Sequence, residues 1–148
     1  MSDTKLTQAE ADSLLEMLKH SLTKESNFPS PGASVEFDVL GDTKKDLFTI
    51  KIYRGKIQHQ KYDLGARIKK RGILLLELHI NPTNVHRNPD GTKIIGSHWH
   101  IYHEIYGRQI AFPADDIKSE NFVNNTIHFL TRFHVIDRPN ILYQEELF

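Results

Sequence analysis

The sequence predicts one α+β domain over residues 1–148: a curved antiparallel sheet of about six to seven strands, with one N-terminal and one C-terminal helix. Three observations predict it. Apolar residues recur at helical spacing near both ends, strand-period alternation and glycine punctuation fill the middle, and no internal repeat divides the chain. A chain of 148 residues has the usual length of one domain and enough material for a real core.

The first helix is expected within TQAEADSLLEMLKHSL. Thr7 stands three residues before Glu10, the spacing of a capping box, in which each side chain bonds the other residue's backbone N–H. Ala11, Leu14, Leu15, Leu18 and Leu22 then mark one stripe facing a core. The prolines and glycine of NFPSPGAS end the element. VEFDVL and LFTIKIYR carry the two-residue period of strands around the turn GDTKKD, which reads as a β-hairpin. Gly55, Gly65 and Gly72 punctuate three further strands, KIQHQKYDL, ARIKK and ILLLELHIN. The last is the most apolar, as a central strand should be, although its periodicity alone also fits a buried helix. PTNVHRNPDG is a loop, because Asn-Pro and Asp-Gly both favour turns. SHWHIYHEI and RQIAF flank Tyr106-Gly107 as a final hairpin. Phe122, Ile127, Leu130 and Phe133 space a closing helix, stopped by Asp137-Arg138-Pro139.

Composition narrows the function classes. Apolar residues at 39% and charged residues at 26% describe a globular chain. No apolar run reaches the roughly 20 residues of a membrane helix. The start, MSDTKLTQAEADSL, lacks the basic, apolar and small-residue regions of a signal peptide. Without cysteine there is no disulfide framework and no thiolate zinc site. A cytoplasmic protein, with no membrane partner, is the expectation. The 19 basic and 19 acidic side chains balance, but unevenly: Lys44 to Arg71 holds ten Lys or Arg against two acids. Such a stripe can steer a polyanion. It equally fits lysines guarding the exposed side and edges of a sheet.

Chemistry concentrates in HRNPDGTKIIGSHWHIYHE, residues 86–104, which holds four of the nine histidines. On a strand His98, His100, Tyr102 and Glu104 share one face, while Trp99, Ile101 and His103 take the other. Trp99 and Ile101 read as the core side. His79 joins the first set if its strand pairs with this one, and His86 lies in a loop able to fold back over it. Three readings follow. The histidines are an exposed face with no catalytic role. Or His98 and His100 bind zinc as an H-x-H pair with His86 or His79 as third ligand, leaving a position open for water; HWHIYHE has the H-x-H-x3-E spacing of cupin metal sites, but the second cupin motif is absent. Or no metal is needed: cleaving RNA through its own 2′-hydroxyl takes a base, an acid and a cation. Histidine, with an unperturbed pKa of about 6.5, suits the first two roles. Arginine suits the third through two-pronged contact with phosphate, and the basic stripe contains Arg54 and Arg67.

From LTQAEADSLL through NFPSPGAS and YRGKI to the Pro-Asn-Ile and Glu-Leu-Phe of the tail, the chain resembles a family of small uncharacterised bacterial and prophage proteins. The most specific block is Asn81, His86, Asn88, Pro89, Asp90, Gly91, His98, His100, Tyr102, Tyr106 and Gly107. His79 departs from the pattern, which carries an acid there. The middle of the chain is also similar to the TumE group of toxin-antitoxin proteins, and that resemblance implies an RNA-directed, toxin-like enzyme. Prophage relatives equally imply an anti-defence protein of anti-CRISPR type, acting by binding a host defence protein. The expected function is therefore a toxin-like ribonuclease acting on RNA, with a cognate antitoxin as partner. His98 and His100 transfer protons, His86 transfers protons or positions substrate, Tyr102 donates a hydrogen bond, and Arg54 and Arg67 hold phosphate. No cofactor is required. Asn88 and Asp90 shape the loop, Gly91 permits a tight turn, and Trp99 and Tyr106 pack. The alternative is the anti-defence binding protein, with a metal such as zinc on His86, His98 and His100.

Overall fold

A computed structural model describes residues 5–143, so the Glu-Leu-Phe of the tail lies outside the described residues. Helix α1 (Gln8–Glu16) starts on the expected capping box: the Thr7 hydroxyl accepts from Glu10 N and the Glu10 carboxylate accepts from Thr7 N. It ends earlier than the apolar spacing predicts. Ala11 is buried and Leu14 and Leu15 half-buried, but Leu18 and Leu22 are exposed, because residues 19–21 form strand β1 (Lys19–Ser21). Lys19 turns the chain. Its fully buried Nζ donates to the carbonyls of Leu15, Met17 and Phe133 at 3.2, 2.9 and 2.8 Å, occupying acceptors that a further helical turn would have used.

There follow β2 (Glu25–Asn27), β3 (Ser34–Leu40), β4 (Leu47–Arg54), β5 (Tyr62–Ile68) and β6 (Leu74–Ile80). After them come β7 (His86–Arg87), β8 (Lys93–Ile94), β9 (His98–Ile101), β10 (Ala111–Pro113), α2 (Phe122–Arg132), β11 (Val135–Asp137) and β12 (Asn140–Leu142). The fold is α+β, with one helix near each end and a mostly antiparallel sheet. Its main sheet has eight strands in the order β10-β9-β6-β5-β4-β3-β1-β11, more than the six to seven expected. Only β1–β11 pairs parallel within it. The parallel pair β2–β12 and the hairpin β7–β8 stand apart as two-stranded sheets. The additional strands are two or three residues long, too short to print a period on the sequence. Gly65 is not a break either: β5 runs through it, pairing Gly65 with Lys51 and Glu77.

Alternation gives the sheet two unlike faces. One carries Phe37, Val39, Ile50, Ile52, Leu64, Leu78 and Trp99, all buried in the core. Helix α2 covers it, with Phe129 stacked on Trp99 at 6.1 Å between ring centres and Asn125 donating to the Tyr62 hydroxyl at 2.7 Å. The other face is polar and holds the site. Among the described residues no helix is long and apolar enough to cross a membrane.

Candidate functional site

Strand pairing assembles the site in two rows. Asp63, His79 and His98 lie side by side across β5, β6 and β9, and Gly65, Glu77 and His100 form the next row. Both rows sit opposite Trp99, which is buried under α2. His98 and His100 are also nearly inaccessible, at 3% and 5% exposure, because the imidazoles cover one another. The His98 ring lies 5.1 Å from that of His79, nearly parallel, and 4.9 Å from that of His100. His79 and His100 are 5.0 Å apart.

His86 reaches this group through the β7–β8 hairpin. The Asn88 side chain holds the hairpin to β10 like a strand partner, accepting from Ala111 N at 2.8 Å and donating to Ala111 O at 3.0 Å. Asp90 accepts from Thr92 N at 2.9 Å, and Gly91 at φ 91° supplies the left-handed turn residue. The His86 ring then stands 4.9 Å from His100 and 5.6 Å from His98, with Nε2 2.7 Å from Gln109 O.

Hydrogen bonding fixes two tautomers. His98 Nδ1 lies 2.9 Å from Gly96 O, and His100 Nδ1 lies 2.7 Å from Arg108 O. A carbonyl only accepts, so each Nδ1 carries hydrogen and each neutral ring keeps its lone pair on Nε2. Burial lowers the pKa of both rings, His100 to about 4, and the neighbouring His79 lowers them further. His79 lies between carboxylates, Nδ1 3.3 Å from Asp63 Oδ1 and Nε2 3.3 Å from Glu77 Oε1. Burial pushes Glu77 up, but hydrogen bonds from His79 and Arg108 outweigh it and hold the carboxyl at about 2. Arg108 grips Glu77 with two prongs, Nε to Oε2 at 2.6 Å and a terminal nitrogen to Oε1 at 2.5 Å. Among the described residues, Asp63 Oδ1 is the buried side-chain oxygen left without a hydrogen bond. Above these groups opens a cavity of about 410 Å³, lined by the four histidines, Asp63, Lys61, Arg108, Gln109 and the 82–85 turn.

The structure thus brings His86, His98 and His100 together. Three expected site residues lie elsewhere. Tyr102 falls just beyond β9, where alternation ends; it is buried in the core, its hydroxyl accepting from Leu6 N at 2.8 Å and donating to Leu6 O at 3.3 Å. Arg54 is on the opposite face, buried, with Nε donating to His59 O at 2.9 Å and its guanidinium 4.6 Å from the centre of the Phe122 ring. Arg67 shares the histidine face but lines an adjoining hollow of about 340 Å³ and pairs with Glu36 at 3.3 Å. Tyr106 is exposed beside the His103 ring, not packed in the core. Sequence reasoning passed over Asp63, Glu77 and Arg108. The alternation L-E-L-H placed Glu77 beside His79 on one face of β6, so that signal was present. Nothing local marked Arg108, which comes from the turn after β9.

Residues 6–135 match the model of a family of unknown function, DUF6978. No curated protein and no solved structure matches the chain.

Proposed function

This chain belongs to the DUF6978 family of unknown function, and from the geometry of its histidine pocket we propose that it is a phosphodiester-cleaving enzyme, a toxin-like ribonuclease, with that pocket as its reacting centre. One observation carries the reading: four imidazoles and an arginine converge on an open cavity of about 410 Å³. Burial keeps His98 and His100 neutral at physiological pH, so they offer lone pairs rather than protons. A lone pair of this kind takes a proton or binds a metal ion, and both serve phosphodiester cleavage.

Arg108 replaces Arg54 and Arg67 as the phosphate-holding cation. Glu77 fixes its guanidinium by two hydrogen bonds, yet the side chain is half exposed and lines the cavity, beside Lys61. A pre-oriented guanidinium stabilises charge on phosphate without reorganising. On the TumE-like reading of the middle of the chain, the substrate is RNA and the partner a cognate antitoxin.

The test is incubation of tag-free protein with RNA and with DNA of the same sequence, followed by analysis of product ends. RNA cut to ends bearing a 2′,3′-cyclic phosphate, with DNA intact, is the expected result. RNA left intact at every pH and metal content overturns the reading, and the anti-defence binding protein then takes its place.

A further inference from the structure

We infer that the pocket is a metal centre in which the Nε2 atoms of His79, His98 and His100 bind one divalent transition-metal ion, with Asp63 holding His79 in the tautomer this requires. One ring nitrogen from each of these three histidines lies within 4.8 Å of the other two. His98 and His100 already donate Nδ1–H to backbone carbonyls, the arrangement that orients a metal-ligating imidazole and leaves Nε2 available. His79 completes the set if it too carries hydrogen on Nδ1. Its acceptor would then be Asp63 Oδ1, 3.3 Å away, the same buried oxygen that has no hydrogen bond. Two separate observations, a convergent nitrogen triad and a buried carboxylate oxygen without a hydrogen bond behind its third member, thereby meet in one arrangement.

Donor chemistry selects the ion. Three imidazoles suit zinc, cobalt, nickel or copper, and suit the oxygen-seeking magnesium and calcium poorly. Tetrahedral zinc with Zn–N distances near 2.0–2.1 Å sets its ligand nitrogens about 3.3 Å apart, so the triad must close by about 1.5 Å at most. In this arrangement His79 gives up its Nε2 contact with Glu77 Oε1, and Arg108 still holds both Glu77 oxygens. His86 lies outside this triad: it stands beside His100 on the β7–β8 hairpin, its Nε2 engaged by Gln109 O. With three protein ligands the ion keeps a position for water or a phosphoryl oxygen, which the cavity leaves room for. What the ion would do there rests on the proposed phosphodiester chemistry; whether it binds does not.

The test uses tag-free full-length protein, stripped with chelator and titrated calorimetrically with Zn²⁺, then with Co²⁺ while visible absorption is followed. One Zn²⁺ per chain is expected, with the intense ligand-field bands of four-coordinate Co²⁺. Asp63→Asn should weaken zinc about 10–100-fold, as loss of an orienting partner does. His79→Asn should remove tight binding, whereas His86→Ala should change affinity by a small factor. Circular dichroism on each variant separates loss of ligand from loss of fold, and Asp63→Asn at the cavity wall serves if the histidine variants do not fold. Wild type without stoichiometric binding, or His79→Asn and Asp63→Asn binding as tightly as wild type, would overturn the metal centre. The two ideas fail separately. Stoichiometric zinc with no RNA cleavage removes the ribonuclease and leaves the metal; chelator-resistant cleavage without zinc binding does the reverse.

Discussion

His100 is neutral in the folded chain down to about pH 4, whereas an unfolded histidine takes its proton near 6.5. The unfolded state therefore binds more protons between these values, and stability falls as pH drops through that window and levels off below it. A shift of this size corresponds to something on the order of 3 kcal/mol, and His98 adds a loss of the same sign. Glu77, held at about 2, loses its contribution in a separate and lower window, from its ordinary pKa of 4.5 downward. Metal-free protein melted in chelator should thus begin to lose stability as pH falls below about 6.5, before Glu77 begins to lose its contribution. His100→Asn should flatten that loss, and an unchanged slope in the variant would contradict the burial argument. At this scale the sequence was partly legible. Period-two alternation set His98 and His100 against Trp99, as found. The same rule applied to LFTIKIYR puts Arg54 in phase with Phe48, Ile50 and Ile52, on the core side. Counting charge along the stripe obscured that phase.

Among elements, the short α1 has the plainest physical cause. Leu18 and Leu22 continue a helical stripe on paper, but Lys19 contributes more by entering the core with its amine. Its Nζ bonds carbonyls at the ends of both helices and lies 3.8 Å from the centre of the Phe133 ring. Lys19→Met keeps the bulk and removes the donor, orphaning buried acceptors at about 1–3 kcal/mol apiece. The variant should melt several degrees lower, and an unchanged melting temperature would show that the clamp is dispensable. No periodicity scan finds such a residue, because the acceptor Phe133 O lies 114 positions away. The β7–β8 hairpin was legible only as turn chemistry. NPDG announced the turn, but the Asn88–Ala111 pairing that carries His86 to the pocket is a long-range contact.

Over the whole molecule, the basic run from Lys44 to Arg71 does not form one surface. Arg54 enters the core, Arg67 and Lys69 pair with Glu36 and Asp38 of β3, and Lys61 lines the cavity. Folding thus buries or pairs three of the ten cations, and the positive charge lining the histidine cavity belongs to Arg108 and Lys61. Helix-sheet-helix order and the polar and apolar faces of the long strands were readable, because each rests on a local period. The eighth strand, the parallel β1–β11 pair and the carboxylate–imidazole rows come from pairing between distant segments, which one sequence does not reveal. The most direct measurement of the account is RNA cleavage by wild type, His98→Ala and His100→Ala, with melting followed on the same preparations. Wild type should cleave, and each variant should be slower by about 10²–10⁴-fold while still unfolding cooperatively. Folded variants that cleave RNA at the wild-type rate would contradict the assignment of this pocket as the reacting centre.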